Sequence, residues 1–213
     1  MYKGLEAKDD KNYVNILGSD GSLRMTVDEN TPGAKRREYE TSDGKTGVKY
    51  ELVFKSIKGL VKDISFYDGS FGENILIDFD NDGEVLTLSV NTASNYGEDL
   101  MKKLPNINFS DRVMITPYAF EDEKGKVRKG LTINNNGDKV QNFFYDPVAK
   151  KNINNYPDPK PNKGDKPYTK DDWKIYFIET RKFLTEYTQE NILPKFADKE
   201  KLAEAQAEPV VPF

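Results

Sequence analysis

Neither cysteine nor histidine occurs anywhere in the sequence. Without thiols there are no disulfides and no thiolate zinc sites, a usage that fits a cytosolic protein. Without imidazole the chain lacks the commonest general base and the commonest metal ligand. Neither a Ser-His-Asp nor a Cys-His nucleophile can be assembled from it. A carboxylate-dependent hydrolase is the catalytic class left, and no convincing pair of acids stands out for one. The composition therefore points away from an enzyme, and no cofactor and no metal are expected. No run approaches the ~20 apolar residues of a membrane span. The opening MYKGLEAKDDKNY has no apolar stretch after its charges, so no signal peptide is expected and a cytoplasmic location follows.

Surplus positive charge is missing as well. With 32 basic and 36 acidic residues the formal charge is -4, whereas a nucleic-acid binder is ordinarily basic. Binding to a polyanion then requires the two signs to segregate. What the chain does have is aromatic residues, 12% of the total, enough to supply a core to a sequence of low mean hydropathy.

Residues 1–45 read as an N-terminal extension with extra strands: YVNIL (13–17), then SLRMTVD (22–28) stopped by a Pro-Gly turn. The stretch VKYELVFKSI (48–57) alternates with Val48, Tyr50, Leu52 and Phe54 on one face. A bend or bulge is expected at Gly59, with LVKDISFY (60–67) continuing the same strand. ENILIDFD and EVLTLSVN read as strands joined by NDG, a hairpin signal. DFDNDGE (78–84) has the alternate acids of a calcium loop, but Ser89 occupies the twelfth position, where the bidentate Glu is required; the hairpin turn is the better reading. SNYGEDLMKKL (94–104) reads as a short helix closed by Pro105. DRVMITPYAFED, VRKGLTINN and KVQNFFYD read as three further strands.

This order, a long bent strand, a hairpin, a helix and another hairpin over 46–146, resembles the OB-fold, a five-stranded Greek-key barrel with its helix between strands three and four. Another small β-barrel or sandwich is the alternative. OB barrels use strands two and three and the loops joining strands one–two and four–five for ligands, here 67–73 (YDGSFGE) and 121–126 (EDEKGK). The rest divides into a Pro/Asn/Lys-rich linker or strap (147–168), a helix (169–196) and a tail (197–213) read as disordered. The helix opens on a capping box from Thr169 to Asp172. Its stripe of Trp173, Tyr176, Phe177, Thr180, Phe183, Leu184 and Tyr187 is expected to be covered, by the barrel or by a second subunit.

The candidate contacts to single-stranded nucleic acid are clustered cations with rings between them, since charge tracks phosphates while rings stack on bases. They are Arg36, Arg37 and Tyr39; Lys49, Lys55, Lys58 and Lys62 on the long strand; Tyr67 and Phe71 in the first loop; Tyr118; and Lys124, Lys126, Arg128 and Lys129. A solvated charged face is the plain alternative for each cluster taken alone.

The segment KKLPNINFSDRVMITPYAFEDEKGKVRKGLTINNNGDKV is similar to phage-encoded single-stranded DNA-binding proteins of the OB type, over residues 20–146. The tail, with Glu204, Glu208 and a final Pro212–Phe213, resembles that of bacterial single-stranded DNA-binding proteins, although it has scattered glutamates where those have a dense aspartate run. The resemblances imply a protein that coats single strands in phage replication or recombination, in the host cytoplasm. They also imply that Pro212 and Phe213 contact replication or recombination partners. A β-rich phage structural or assembly protein is the competing expectation.

Overall fold

The computed structural model describes residues 12–41, 43–159 and 168–197. Among these, ten strands form one sheet: β1 (Asn12–Ile16), β2 (Leu23–Val27), β3 (Lys35–Glu40), β4 (Thr46–Phe54), β5 (Ile57–Gly69), β6 (Gly72–Asn81), β7 (Glu84–Asn91), β8 (Val113–Glu121), β9 (Val127–Asn135) and β10 (Asp138–Lys139). Their order across the sheet is β10-β9-β8-β5-β6-β7-β1-β2-β4-β3. Every pairing is antiparallel except β1 with β7. Helix α1 (Asn95–Lys103) follows β7, a small ribbon joins β11 (Tyr145–Asp146) to β12 (Lys151–Asn152), and helix α2 (Lys170–Asn191) follows.

The sheet is not a closed barrel, which corrects the closed five-stranded expectation. The reason lies at two strand edges. β1 occupies the outer edge of β7 in parallel register, Val14 opposite Leu88. On β9, helix α1 supplies polar partners: Asp99 accepts from the Leu131 N–H at 2.7 Å, and the Lys103 ammonium donates to the Leu131 carbonyl. Backbone groups that a closing strand would pair are satisfied by side chains instead, as buried backbone polar groups require.

The long strand expected over 48–67 is two strands. β4 ends at Phe54 and pairs with β2 and β3, while β5 starts at Ile57 and pairs with β6 and β8. The apolar alternation falls on even positions from Val48 to Phe54 and on odd ones from Ile57 to Val61, so a change of phase marks the break at Lys55–Ser56. The register shift falls between Val61 and Asp63, with Lys62 the extra residue, and not at Gly59. Gly59 has a different role: a Cβ there would stand 2.6 Å from the Asp80 carbonyl. The NDG hairpin is present, with Asp82 and Gly83 both at positive φ.

Ile64, Ile75, Ile77, Phe79 and Leu88 from the sheet meet Leu100, Met101 and Leu104 from α1 in a continuous core with Val113, Ile115, Leu131 and Ile133. KVQNFFYD is not a strand beyond its ends. The Phe143 N–H is bonded to the Lys102 carbonyl, which turns buried Phe144 inward. There Phe144 meets Tyr156, Phe183 and Tyr187 at 5.6, 5.5 and 5.0 Å between ring centroids. The described part of the expected linker is thus a strap with a core residue in it. The capping box of α2 is formed as the sequence predicts. Its stripe divides: Thr180 and Leu184 are buried and Phe183 and Tyr187 pack on the core, while Trp173 and Phe177 remain exposed. No helix among the described residues is long and apolar enough to cross a membrane.

Candidate nucleic-acid interface

The β8–β9 hairpin turns over Asp122–Lys126. The Asp122 carboxylate organises it, accepting the backbone N–H groups of Lys124 (3.0 Å) and Lys126 (2.9 Å) and the Arg128 Nε (2.8 Å). These bonds, the Lys126 N–H foremost, hold the Asp122 carboxyl below its ordinary value. Arg128 is thereby partly committed to the turn. Lys124, Lys126 and Lys129 form no ion pair with the described residues, and Lys124 and Lys126 are exposed in a turn that also carries the exposed Glu121 and Glu123.

Strand register sorts the hairpin's side chains. Tyr118 faces Gly130 and Phe120 faces Arg128, so these share one face, while Lys129 opposes Ala119 on the other. Gly130 leaves room for the Tyr118 ring: a Cβ there would come within 2.5 Å of its hydroxyl and 2.8 Å of the Asp99 carboxylate. Tyr118 and Phe120 form a tilted pair at 5.7 Å, both partly or largely open to solvent. The sequence reading omitted Phe120, although its two-residue spacing from Tyr118 was a sufficient signal.

On its other face the hairpin borders a cleft of about 350 Å³, lined by Asn15, Asn74, Asn91, Asn95, Tyr96 and Lys129 among others. The β1–β2 turn closes one side: Gly21, at φ +71°, lies so near the Tyr118 backbone that a Cβ would meet it at 2.8 Å. At the rim, Asn91 Nδ2 donates to the Phe71 carbonyl at 3.1 Å, which ties the β5–β6 turn to the cleft. The expected loop 67–73 is mostly strand, with a turn only at Ser70–Phe71. The Phe71 ring is 92% exposed and Tyr67 is exposed beside it. The Tyr96 hydroxyl is buried with no hydrogen-bond partner among the described residues, and burial, then Asp20 and Tyr118 nearby, raise its pKa. Amides, hydroxyls and the Lys129 side chain line this cleft, the chemistry a polar or anionic ligand requires.

The remaining predicted residues lie elsewhere. Arg36, Arg37 and Tyr39 are on β3 and Lys49 on β4, at the opposite edge of the sheet order from β9. Arg37 grips buried Glu51 with two bonds, 2.7 and 2.6 Å, and Arg24 adds a third at 3.1 Å. Arg36 pairs with Glu38, and the Lys49 ammonium sits 5.2 Å from the Tyr39 ring centroid. Lys55 falls in the β4–β5 break. Lys58 borders a groove of about 380 Å³ with Arg112, Met114 and Asn134, and an apolar one with Phe54 and Met25. Lys62, at the bulge, pairs with Asp80 at 2.9 Å. Pro212 and Phe213 lie outside the described residues. No family model, curated protein or solved structure matches the chain.

Proposed function

We propose that this protein binds and coats single-stranded DNA in phage replication or recombination, without catalysis, and recruits protein partners through Val210–Phe213. The observation that carries the reading is the β8–β9 hairpin, with three lysines that form no ion pair among the described residues and an exposed Tyr118–Phe120 pair, together with the exposed Phe71 turn. Charge without a fixed partner is available to phosphates, and exposed rings are available to bases. Support also comes from β5 to β9, a three-stranded meander and a hairpin with α1 between them, the strand order of an OB-type Greek key opened at its seam.

The test is fluorescence anisotropy with a labelled oligonucleotide and its duplex across a salt series. A preference for the single strand is expected, with log K falling by about 0.7 per neutralised phosphate for each decade of salt. Equal affinity for duplex, or a flat salt response, would sink the reading. No binding to either would leave the structural or assembly role, with the cations serving only as a solvated face.

A further inference from the structure

The cleft beside the β8–β9 hairpin holds more hydrogen-bonding capacity than the chain itself uses. No carboxylate occurs among the described residues that line it, in a protein whose acids outnumber its bases. The side chains of Asn15, Ser89 and Asn95 make no hydrogen bond with the described residues, and Lys129 makes no ion pair with them.

The N-terminus of α1 lies at the same cleft, through Ser94, Asn95 and Tyr96. A helix leaves its first four N–H groups without intrahelical acceptors. Here the Ser94 N–H donates to the Asn91 carbonyl and the Gly97 N–H to the Ser94 hydroxyl. The N–H groups of Asn95 and Tyr96 have no acceptor among the described residues. Gly97 fixes this end in place: the first turn lies so close on the Asn91 carbonyl that a Cβ at 97 would strike it.

Tyr96 supplies an independent observation. The residue is 4% exposed and lines the cleft, and its hydroxyl is buried with no partner among the described residues. An unsatisfied buried hydroxyl costs stability, a cost that a ligand oxygen within its reach would remove. The acids nearby are engaged already: Asp20 by Ser22 and Arg24, Glu98 by Lys102, and Asp99 by Lys103 and the Leu131 N–H. The Lys129 ammonium and the positive end of α1 therefore act on the cleft with no carboxylate in its lining to offset them.

Free N–H groups at a helix N-terminus together with an ammonium suit a phosphate group. The rest of the lining suits what a phosphate carries in a nucleotide. Asn15 and Ser89 are register partners on the β1–β7 ladder, so an amide and a hydroxyl stand side by side, the donors and acceptors that the edge of a base requires. A cleft of about 350 Å³ has the size of a site for one small molecule.

We propose that this cleft binds one nucleotide, its phosphate held by Lys129 and the N–H groups of Asn95 and Tyr96, with the Tyr96 hydroxyl completing the contact. The choice of a nucleotide over another phosphate ester rests on the single-strand reading above. The phosphate is that of a free mononucleotide or one within a bound strand, and the test separates the two.

The probe is dAMP, because an Asn side chain suits the N6 and N7 of adenine. It is titrated to millimolar concentration into the full chain, labelled with heavy nitrogen for NMR, with deoxyadenosine as the arm that lacks phosphate. Saturable shifts of the Asn95 and Tyr96 amide signals are expected with dAMP and none with deoxyadenosine. Lys129→Ala should weaken binding by about tenfold or more, the loss of a hydrogen bond to a charged group. Tyr96→Phe gives a signature that a purely structural hydroxyl would not. The melting midpoint should hold or rise, because an unsatisfied buried group is removed, while dAMP binds about tenfold more weakly. Displacement of dAMP by an oligonucleotide assigns the site to the strand's own phosphate, and simultaneous binding assigns it to a free nucleotide; both uphold the site. Four results overturn the proposal: no shift at any dAMP concentration, equal shifts from deoxyadenosine, shifts that leave Asn95 and Tyr96 unmoved, or variants at 96 and 129 that bind dAMP as the wild type does. Failure of the coating reading is distinct. A protein that binds dAMP and no oligonucleotide sinks that reading and leaves the cleft standing, while one that binds oligonucleotide and no dAMP does the reverse.

Discussion

Two basic clusters that look alike in sequence have opposite circumstances in the fold. On β3 and β4, Arg37 is locked to Glu51, Arg36 to Glu38, and Lys49 rests against Tyr39. On the β8–β9 hairpin one acid, Asp122, takes two backbone donors and one guanidinium, and three lysines are left without an ion pair among the described residues. The first cluster uses its charge to hold strands together. The second carries charge that an outside anion can still neutralise. Formal charge in a sequence is thus a poor count of the charge available for binding, and a chain of net charge -4 can still present lysines that no acid among the described residues pairs.

The largest effect that would sharpen this contrast is on affinity. Replacing Lys124, Lys126 and Lys129 by Ala removes about three phosphate contacts. The slope of log K against log salt should flatten by about 2, and affinity near 0.1 M salt should fall by about two orders of magnitude. The melting midpoint should hardly move, because exposed charges contribute little to folding. A variant that loses stability along with affinity would make this hairpin structural, like β3–β4.

Next comes the stacking surface. Phe71→Ala should cost about 1–3 kcal/mol of oligonucleotide affinity and leave thermal stability unchanged, since the ring is 92% exposed. Unaltered affinity would remove the β5–β6 turn from the interface and confine binding to the hairpin.

How much of this was legible beforehand depended on range. Hairpins announced themselves locally, through NDG and EKGK, and the α2 cap through Thr169 and Asp172, because turn and cap chemistry is a matter of neighbours. Strand partners are set at long range. Between residues 48 and 67 the alternation changes phase at Lys55–Ser56, which marks a break, but nothing there says that pairing switches from β2 and β3 to β6 and β8. The open barrel was hidden for the same reason. Closure failed because Asp99 and Lys103, some thirty residues before Leu131, reach its backbone groups. Phe144 read as strand because an aromatic pair suits a strand; its ring is drawn inward by Tyr156 and α2, which the sequence leaves unplaced. The interface shows the same division. Phe71 was identified from its loop and Phe120 was overlooked despite its spacing. That Arg37 is not available could not be read at all, since Glu51 lies on the neighbouring strand.

The smallest effect concerns that pair, and it runs the comparison in reverse. Glu51→Gln leaves Arg37 without its anion, while Arg24 keeps Asp20 at 3.0 Å. Because Arg37 keeps 30% of its side chain in solvent, much of the loss is recovered by hydration, and about 1–2 kcal/mol of stability should go at neutral pH. Oligonucleotide affinity should stay the same. Acid gives the second handle. Hydrogen bonds from Arg37, then Arg24, hold the Glu51 carboxyl below its ordinary value against the opposing effect of burial. A carboxyl depressed in the folded state contributes stability that is complete above its unfolded pKa of about 4.3 and is lost as pH falls through the lower folded value. Wild type and Glu51→Gln should therefore melt apart at pH 7 and draw together as the pH drops below about 4. A gap that stayed constant into acid would mean that the glutamate's charge is irrelevant there. The β3–β4 cations would then be as free as those of the hairpin, and the contrast between the two clusters would be lost.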